Sequence, residues 1–402
     1  MNKIKISRTI WVLSIVSLLT DVASEMLYPV MPIYLKSIGF SALLIGILEG
    51  FAEATAGFSK GYFGNLSDRL NKRVLFVRAG YFLSAISKPM LAAFTFPFWV
   101  FLSRGFDRFG KGIRTSARDS ILSAEATPET KARVFGLHRT MDTAGAMLGP
   151  VAALVYLYFY PDSFVPLFLI AFVPGMFGVM LTYFIKDKVI EGPVSVSKKG
   201  FFSFLLYWKT STKEYRKLVA GLLFFTLINS SDVFLLLLIK HIGYSNTEVI
   251  MVYIFYNLVY ALVSYPVGIL ADRIGLKNIF TTGLIMFAIV YGGMALTPSL
   301  PVIFILFSVY GIYAASTESI SNAWISNISN KQDVATAIGF YTSLGSLFTM
   351  LASVLAGFLW STFNPSVTFS VSAIGAVVCV LYFRFGRIKQ DSLQSAQRKE
   401  KD

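Results

Sequence analysis

The sequence predicts an all-α membrane protein with twelve transmembrane helices in two pseudo-symmetric six-helix bundles. Three observations predict it. Of 402 residues, 55% are hydrophobic and 14% charged; mean hydropathy is +0.64, and apolar runs of the ~20 residues that cross a bilayer recur along the chain. The chain also repeats itself at one offset: Gly64, Asp68 and Arg69 return as Gly268, Asp272 and Arg273, 204 residues on (268 − 64, 272 − 68), and Lys36, Gly39 and Ser41 return as Lys240, Gly243 and Ser245. Six identities at one spacing indicate a duplicated unit. Finally, Lys and Arg gather in alternate loops: the N-terminus, 69–73, Lys131 with Arg133, 186–217, Arg273 with Lys277, Lys331, and the tail from Arg384. The intervening loops hold little beyond Lys36, Lys240 and His241, so the positive-inside rule puts both termini in the cytoplasm. The net charge of +14 therefore reports topology and calls for no nucleic-acid partner.

Taken in order, the spans lie at about 9–35, 42–64, 74–95, 98–122, 133–158, 164–186, 218–240, 246–270, 278–297, 301–324, 335–360 and 365–386. Lys3, Lys5 and Arg8 ahead of an apolar stretch imitate a secretory signal, but apolar sequence resumes past Asp21 with no small-residue cleavage pattern, which favours a retained first helix. The polar second half of the fourth span leaves a cytoplasmic loop as the competing reading there. The longest non-spanning segment gives the expected division: an N-terminal bundle (1–190), a linker (191–216) and a C-terminal bundle with a short tail (217–402). Within the linker, 200–208 is apolar and aromatic between Lys198, Lys199 and Lys209, as expected of a short helix on the membrane surface. The polar tail at 390–402 receives no function.

Single Cys379 and the two histidines, His138 and His241, supply neither a disulfide framework nor a metal cluster, and no cofactor is implied. No nucleophile stands with a neighbouring base, which argues against a membrane enzyme acting on lipid or phosphate groups.

Charge inside the spans is concentrated in the first half, while the second offers mainly Asp232 and Glu318. An ionised side chain near mid-bilayer costs about 2.5–3.5 kcal/mol, so these groups must line water or one another. At about 100° per residue, Arg104, Asp107, Arg108, Lys111 and Arg118 fall within an arc of roughly 100°, a basic face on the fourth span. Asp21 with Glu25, and Glu49 with Glu53, are i,i+4 pairs that stack acids on the first and second spans; an acidic wall is expected to face the basic one. Crowded carboxylates disfavour one another's charge, so Asp21, Glu25, Glu49 and Glu53, with Asp142, are the proton-coupling candidates, and Arg139 is the expected local partner of Asp142. The competing reading is that charges such as Lys60, Arg114, Arg118 and Asp119 only lock the bundle by salt bridges. Substrate-binding candidates are Arg104, Asp107, Arg108 and Lys111, suited to an anionic or zwitterionic solute; equally, the acids hold a cation and the bases balance them. In the second half, Asn229 and Asp232 with Tyr253, Tyr256, Asn257 and Tyr260 form a polar and aromatic wall suited to an organic molecule, or simply pack helices together.

The segments 64–73 (GNLSDRLNKR) and 268–277 (GILADRIGLK) resemble the paired loop signature of the major facilitator superfamily, in its bacterial twelve-helix type. Arg104 resembles the family's fourth-helix arginine motif, with Asp107 and Arg108 where a glutamine and a glycine are usual. Gly145, Gly149 and Pro150 resemble the fifth-helix motif of many antiporters, with Ala153 and Leu154 where a glycine pair often follows. The resemblance covers the whole chain. It implies a secondary transporter working by alternating access, with Gly64, Asp68, Arg69, Arg73, Gly268, Asp272, Arg273, Gly145, Gly149 and Pro150 as conformational-switch positions. Glycines let helices approach closely, and Asp68 is able to cap a helix or pair with a base. The expected activity is proton-coupled export of a small organic solute by a monomer in the bacterial inner membrane; proton-coupled import of an organic anion is the alternative. The expected partners are the solute, protons and the lipid bilayer.

Overall fold

The computed structural model describes residues 6–28, 30–40, 42–161, 163–187, 201–229, 232–244, 246–296 and 299–386. Among these residues there is no strand. The first half holds α1 (Arg8–Glu25), α2 (Met31–Ser37), α3 (Ala42–Leu70), α4 (Arg73–Ala93), α5 (Pro97–Ala124), α6 (Lys131–Phe159) and α7 (Phe164–Leu181), which a 3₁₀ turn (Thr182–Phe184) extends. After a 3₁₀ segment (Phe201–Leu206) and α8 (Tyr207–Thr210) come α9 (Lys213–Ile228), α10 (Val233–His241), α11 (Asn246–Ile274), α12 (Leu276–Met294), α13 (Leu300–Ile328), α14 (Val334–Thr362) and α15 (Pro365–Phe385). By length and composition eight of these helices, among the described residues, are able to cross a membrane: α4, α6, α7 and α11 to α15.

The first and seventh spans, expected as continuous helices, are each two: α1 with α2, and α9 with α10. The breaks occur at nearly equivalent places and have local causes. After Glu25 the sequence supplies Pro29 and Pro32, which remove backbone donors; after Ile228 it runs Asn-Ser-Ser-Asp, residue types of low helix propensity. The fourth span is a helix throughout, α5, and the loop reading of its polar half is wrong because that half buries Arg114, Ser116, Asp119 and Ser120 inside protein. A second correction concerns the repeated signature: Asp68, Arg69, Asp272 and Arg273 occupy the last turns of α3 and α11, not the loops after them.

Contacts divide the chain into two units, Met1–Glu125 with Met141–Tyr207 and Asn330–Ser343, and Ala126–Thr140 with Trp208–Ser329 and Leu344–Asp402. The units therefore depart from the sequence halves at two places: the first turns of α6 go with the second unit, and those of α14 with the first. In the first unit, Tyr34, Leu35, Leu91, Val100, Leu167 and Phe168 form a buried core, with the Tyr34 and Phe168 rings edge-to-face at 4.8 Å. In the second, Phe280, Phe287, Tyr291, Trp324, Phe369 and Phe383 are fully buried, and Phe287 stacks on Tyr291 at 3.9 Å. Many apolar side chains point outward, among them Leu262, Ile305, Val354 and Ile374, as a lipid solvent allows. The segment at 201–210 is a 3₁₀ segment followed by a short helix, and Phe204 is buried in it against the bare backbone of Gly61 on α3; 191–200 and the tail from 387 lie outside the described residues.

Duplication survives in backbone detail. Helices α2 and α10 end in the same cap: Gly39 and Gly243 take positive φ, 91° and 111°, and the next amides, Phe40 and Tyr244, donate to the carbonyls of Leu35 (2.9 Å) and Ile239 (3.3 Å). The turns after α3 and α11 likewise place Asn71 (φ 50°) and Gly275 (φ 97°) at matched positions. With ψ of 141°, Gly275 sits in a region that is nearly glycine-only, whereas Asn71 sits where asparagine is tolerated. Gly275→Val is expected to cost about 1–3 kcal/mol and Asn71→Gly about 0.5 kcal/mol or less, read as shifts in thermal unfolding of the detergent-solubilised protein.

Candidate functional site

The two signature aspartates do the same work. Helix N-termini leave amide hydrogens without partners. Asp68 Oδ2 accepts from the Thr336 amide (2.7 Å) and hydroxyl (3.0 Å) in the first turn of α14, and Asp272 accepts from the Ala132 (3.0 Å) and Arg133 (3.1 Å) amides in the first turn of α6. Each carboxylate thus caps the fifth helix of the opposite sequence half. Gly64 and Gly268 permit the approach: a Cβ on either would stand 2.5 Å from the carbonyl oxygen of Ala335 or Ala132. One turn away the pattern repeats, with Gly339 against the Lys60 carbonyl (2.6 Å) and Gly136 against that of Ser264 (2.5 Å). The copies differ in their bases. Arg73 donates to Asp68 at 2.8 Å and to the Lys331 carbonyl at 3.3 Å, while its counterpart Lys277 bonds the Gly386 carbonyl instead and Arg133 stands 3.7 Å from Asp272. Arg69 is half-buried and Arg273 exposed.

In the first unit, most charges on the α5 face have dedicated partners. Lys88, buried on α4, meets Asp107 at 2.7 Å; the Ser84 hydroxyl also donates to Asp107 (2.6 Å), and Lys88 to Ser24 (3.1 Å). Arg108 faces Glu53 at 3.7 Å, joining the basic face of α5 to the acids of α3. Lys60, Arg104 and Lys111 also act on Glu53, so one carboxylate sits among four cations. Arg118 pairs with Asp119 (2.9 Å), and the Arg114 guanidinium lies 4.6 Å over the Tyr81 ring. Glu49 is on α3, and its side chain is outside the described residues.

A different arrangement joins α1 to α6. Asp142 Oδ1 accepts from the Ser17 hydroxyl at 2.6 Å, and the Asp21 and Asp142 carboxyls are within hydrogen-bond reach of each other. Two glycines make the contact possible: a Cβ on Gly145 would be 2.5 Å from the Leu18 carbonyl oxygen, and one on Gly149 2.6 Å from the Met26 amide. Gly149 meets α1 where it ends at Glu25, and Pro150 follows it inside the helix.

In the second unit, Tyr310 donates to Asp232 at 2.6 Å and Asn229 Nδ2 donates to the Tyr313 hydroxyl at 3.0 Å. Tyr310 is ringed by Tyr256 and Tyr313, each at 5.1 Å; Tyr260 and Tyr253 continue the row at 5.9 and 6.4 Å from Tyr256. Asn257 spends its amide on the Tyr253 carbonyl (2.9 Å). Arg139 pairs with Glu318, donates to the Tyr260 hydroxyl and lies 5.2 Å over that ring. Its length lets it reach the neighbouring α11 and α13, while Asp142 meets α1. Sequence reasoning missed Ser17, Thr336, Tyr310 and Tyr313. The i,i+3 spacing of the two tyrosines was a usable signal; nothing marked Ser17 or Thr336.

The model of the Major Facilitator Superfamily matches residues 13–245 and again 218–402. An uncharacterised MFS-type transporter of Methanocaldococcus jannaschii is 33% identical over 390 residues, 96% of each chain. Among solved structures, the human organic anion transporter MFSD10 (TETRAN) is similar with a TM-score of 0.76 at 17% identity, over 94% of this chain and 99% of that one. The E. coli fucose:proton symporter FucP is similar with a TM-score of 0.75 at 14% identity, over 94% and 98%. At such identities these structures speak to the fold.

Two outcomes follow from the geometry. Losing a helix cap costs about 0.5–2 kcal/mol, so in a Cys379→Ser background carrying Ala335→Cys, adding Asp68→Ala should raise the rate of thiol labelling roughly fivefold to tenfold; Asp68→Asn, which keeps an acceptor, should raise it less. Lys88→Met strands Asp107 without its cation and should destabilise the protein by about 3–5 kcal/mol, whereas Lys88→Met with Asp107→Asn should recover most of that loss in the same thermal assay.

Proposed function

The chain belongs to the major facilitator superfamily, and from that premise we propose that it exports a small organic solute in exchange for protons. It is a multi-pass membrane protein and a secondary transporter, not an enzyme. In this reading the monomer works by alternating access in the cytoplasmic membrane, with both termini inside, as the distribution of Lys and Arg supports.

The observation that carries the proton reading is the carboxyl pair Asp21 and Asp142. Two carboxyls within hydrogen-bond reach are held more favourably with one proton between them than with two adjacent negative charges. They sit on different helices, α1 and α6, in a seam closed by Gly145 and Gly149, so a change in how those helices meet changes the affinity for that proton. The Asp68 and Asp272 caps supply the switch: their hydrogen bonds to α14 and α6 must break for the cytoplasmic ends of the halves to part, and two small bonding sets of this kind can be lost and regained without unfolding either bundle. The fifth-helix motif, which resembles that of antiporters, favours export.

A second reading, proton-coupled import of an organic anion, has its own support in the four cations around Glu53. A carboxylate on the solute would compete with Glu53 for Arg108. The two readings separate in proteoliposomes with a trapped pH dye and an imposed proton gradient, screened with organic anions and organic cations. Asp142→Asn and Asp21→Asn should each retain solute counterflow within about twofold while losing solute-driven proton movement, a loss of coupling rather than of binding. Uphill transport retained in both variants would reject the assignment, and proton movement driven solely by anions would reject the export of cations.

A further inference from the structure

Helix α9 ends at Ile228 and α10 begins at Val233, and the described residues at that break, Asn229 and Asp232, face a cluster of tyrosines rather than a base. Among the described residues, no Lys or Arg stands in ion-pair contact with Asp232; its hydrogen bond comes from the Tyr310 hydroxyl. Arg139 is the base that acts on it, and Arg139 is committed to Glu318 and Tyr260. Asn229 spends its amide nitrogen on Tyr313, leaving Oδ1 buried with no hydrogen-bond partner among the described residues. Tyr256, Tyr310 and Tyr313 are each about nine-tenths buried or more, with ring centroids 5.1 Å apart along the series. A carboxylate, an unused amide oxygen and three aromatic faces are all groups that attract positive charge, and two of them also accept hydrogen bonds.

We propose that Asp232, Asn229, Tyr256, Tyr310 and Tyr313 form the seat for a cationic nitrogen bearing N–H groups on the transported solute. The proposal rests on the transport reading and names the class of solute that this part of the second unit takes: a primary or secondary ammonium, or a guanidinium. The N–H is required because the amide oxygen of Asn229 needs a donor, which a quaternary ammonium lacks. An anionic group would meet Asp232 directly and lose its hydration for nothing. The protein itself shows that the cluster accepts such a group: the Arg139 guanidinium lies 5.2 Å over Tyr260, next in the row to Tyr256.

The test is calorimetric binding to the full-length protein in detergent, with four probes of one shape: phenethylammonium, its N-trimethyl derivative, phenethyl alcohol and 3-phenylpropanoate. Phenethylammonium should bind at least about tenfold tighter than the alcohol or the carboxylate, and several-fold tighter than the trimethyl derivative, as charge-assisted hydrogen bonds require. Asp232→Asn should weaken it about tenfold. Since that variant could fail to fold, Asn229→Asp provides the complement: it adds a second carboxylate and should tighten ammonium binding several-fold, a gain that misfolding cannot produce. Equal binding of the four probes, preference for the carboxylate, or no tightening in Asn229→Asp overturns the proposal. Proteoliposome assays on the wild type keep the two readings apart. Proton-coupled movement of a solute lacking a cationic nitrogen, with no phenethylammonium binding, sinks the seat and spares the coupling. Tight phenethylammonium binding with no proton movement by any solute does the reverse.

Discussion

The rest of the architecture hangs on a helix-capping requirement. A helix N-terminus that is kept from water must find acceptors for its leading amides, and α6 and α14 find theirs in Asp272 and Asp68, residues from the opposite half of the sequence. That is why the contact units depart from the sequence halves: the first turns of α6 go with the second unit and those of α14 with the first. The glycines at 64, 136, 268 and 339 serve the same contacts by letting backbones approach to distances that any side chain would forbid. Capping bonds of this kind contribute about 0.5–2 kcal/mol each.

The halves kept this device and divided the remaining chemistry. In the first unit, charges are numerous and largely consumed by one another: Lys88 with Asp107, Arg118 with Asp119, Arg108 with Glu53. Low-dielectric surroundings demand such pairing for the buried Lys88–Asp107 and Arg118–Asp119 pairs, because one partner alone would be stranded at a cost of several kcal/mol. Beside these pairs stand the carboxyls of Asp21 and Asp142, within hydrogen-bond reach of each other. The second unit has few charges and many rings, and there Asp232 and Asn229 present acceptors among tyrosines.

Much of this was legible in the chain. The 204-residue offset marked both capping aspartates and both glycines beside them, because a duplicated function keeps its residues at a fixed spacing. The basic face of α5 and the acids of α1 and α3 followed from helical periodicity alone. Two kinds of feature were not legible. The breaks after Glu25 and after Ile228 escaped because apolar length suggests a single span and local helix propensity is not visible in hydropathy. The partners of Arg139 on other helices, Glu318 and Tyr260, escaped as well, because periodicity assigns a helix face and a long side chain can leave that face for another helix.

The sequence by itself determined the class of protein, the duplication, the number of spans and the residue types that must be buried together, since bilayer thickness and the cost of buried charge act on composition and order. Only the tertiary structure decided who pairs with whom. Lys88 took Asp107, Asp68 took the first turn of α14, Asp142 took Ser17 and Asp21, and Arg139 took Glu318 and Tyr260. Those choices depend on a few ångströms of approach between helices distant in sequence, and such distances are set by packing, which no periodicity encodes.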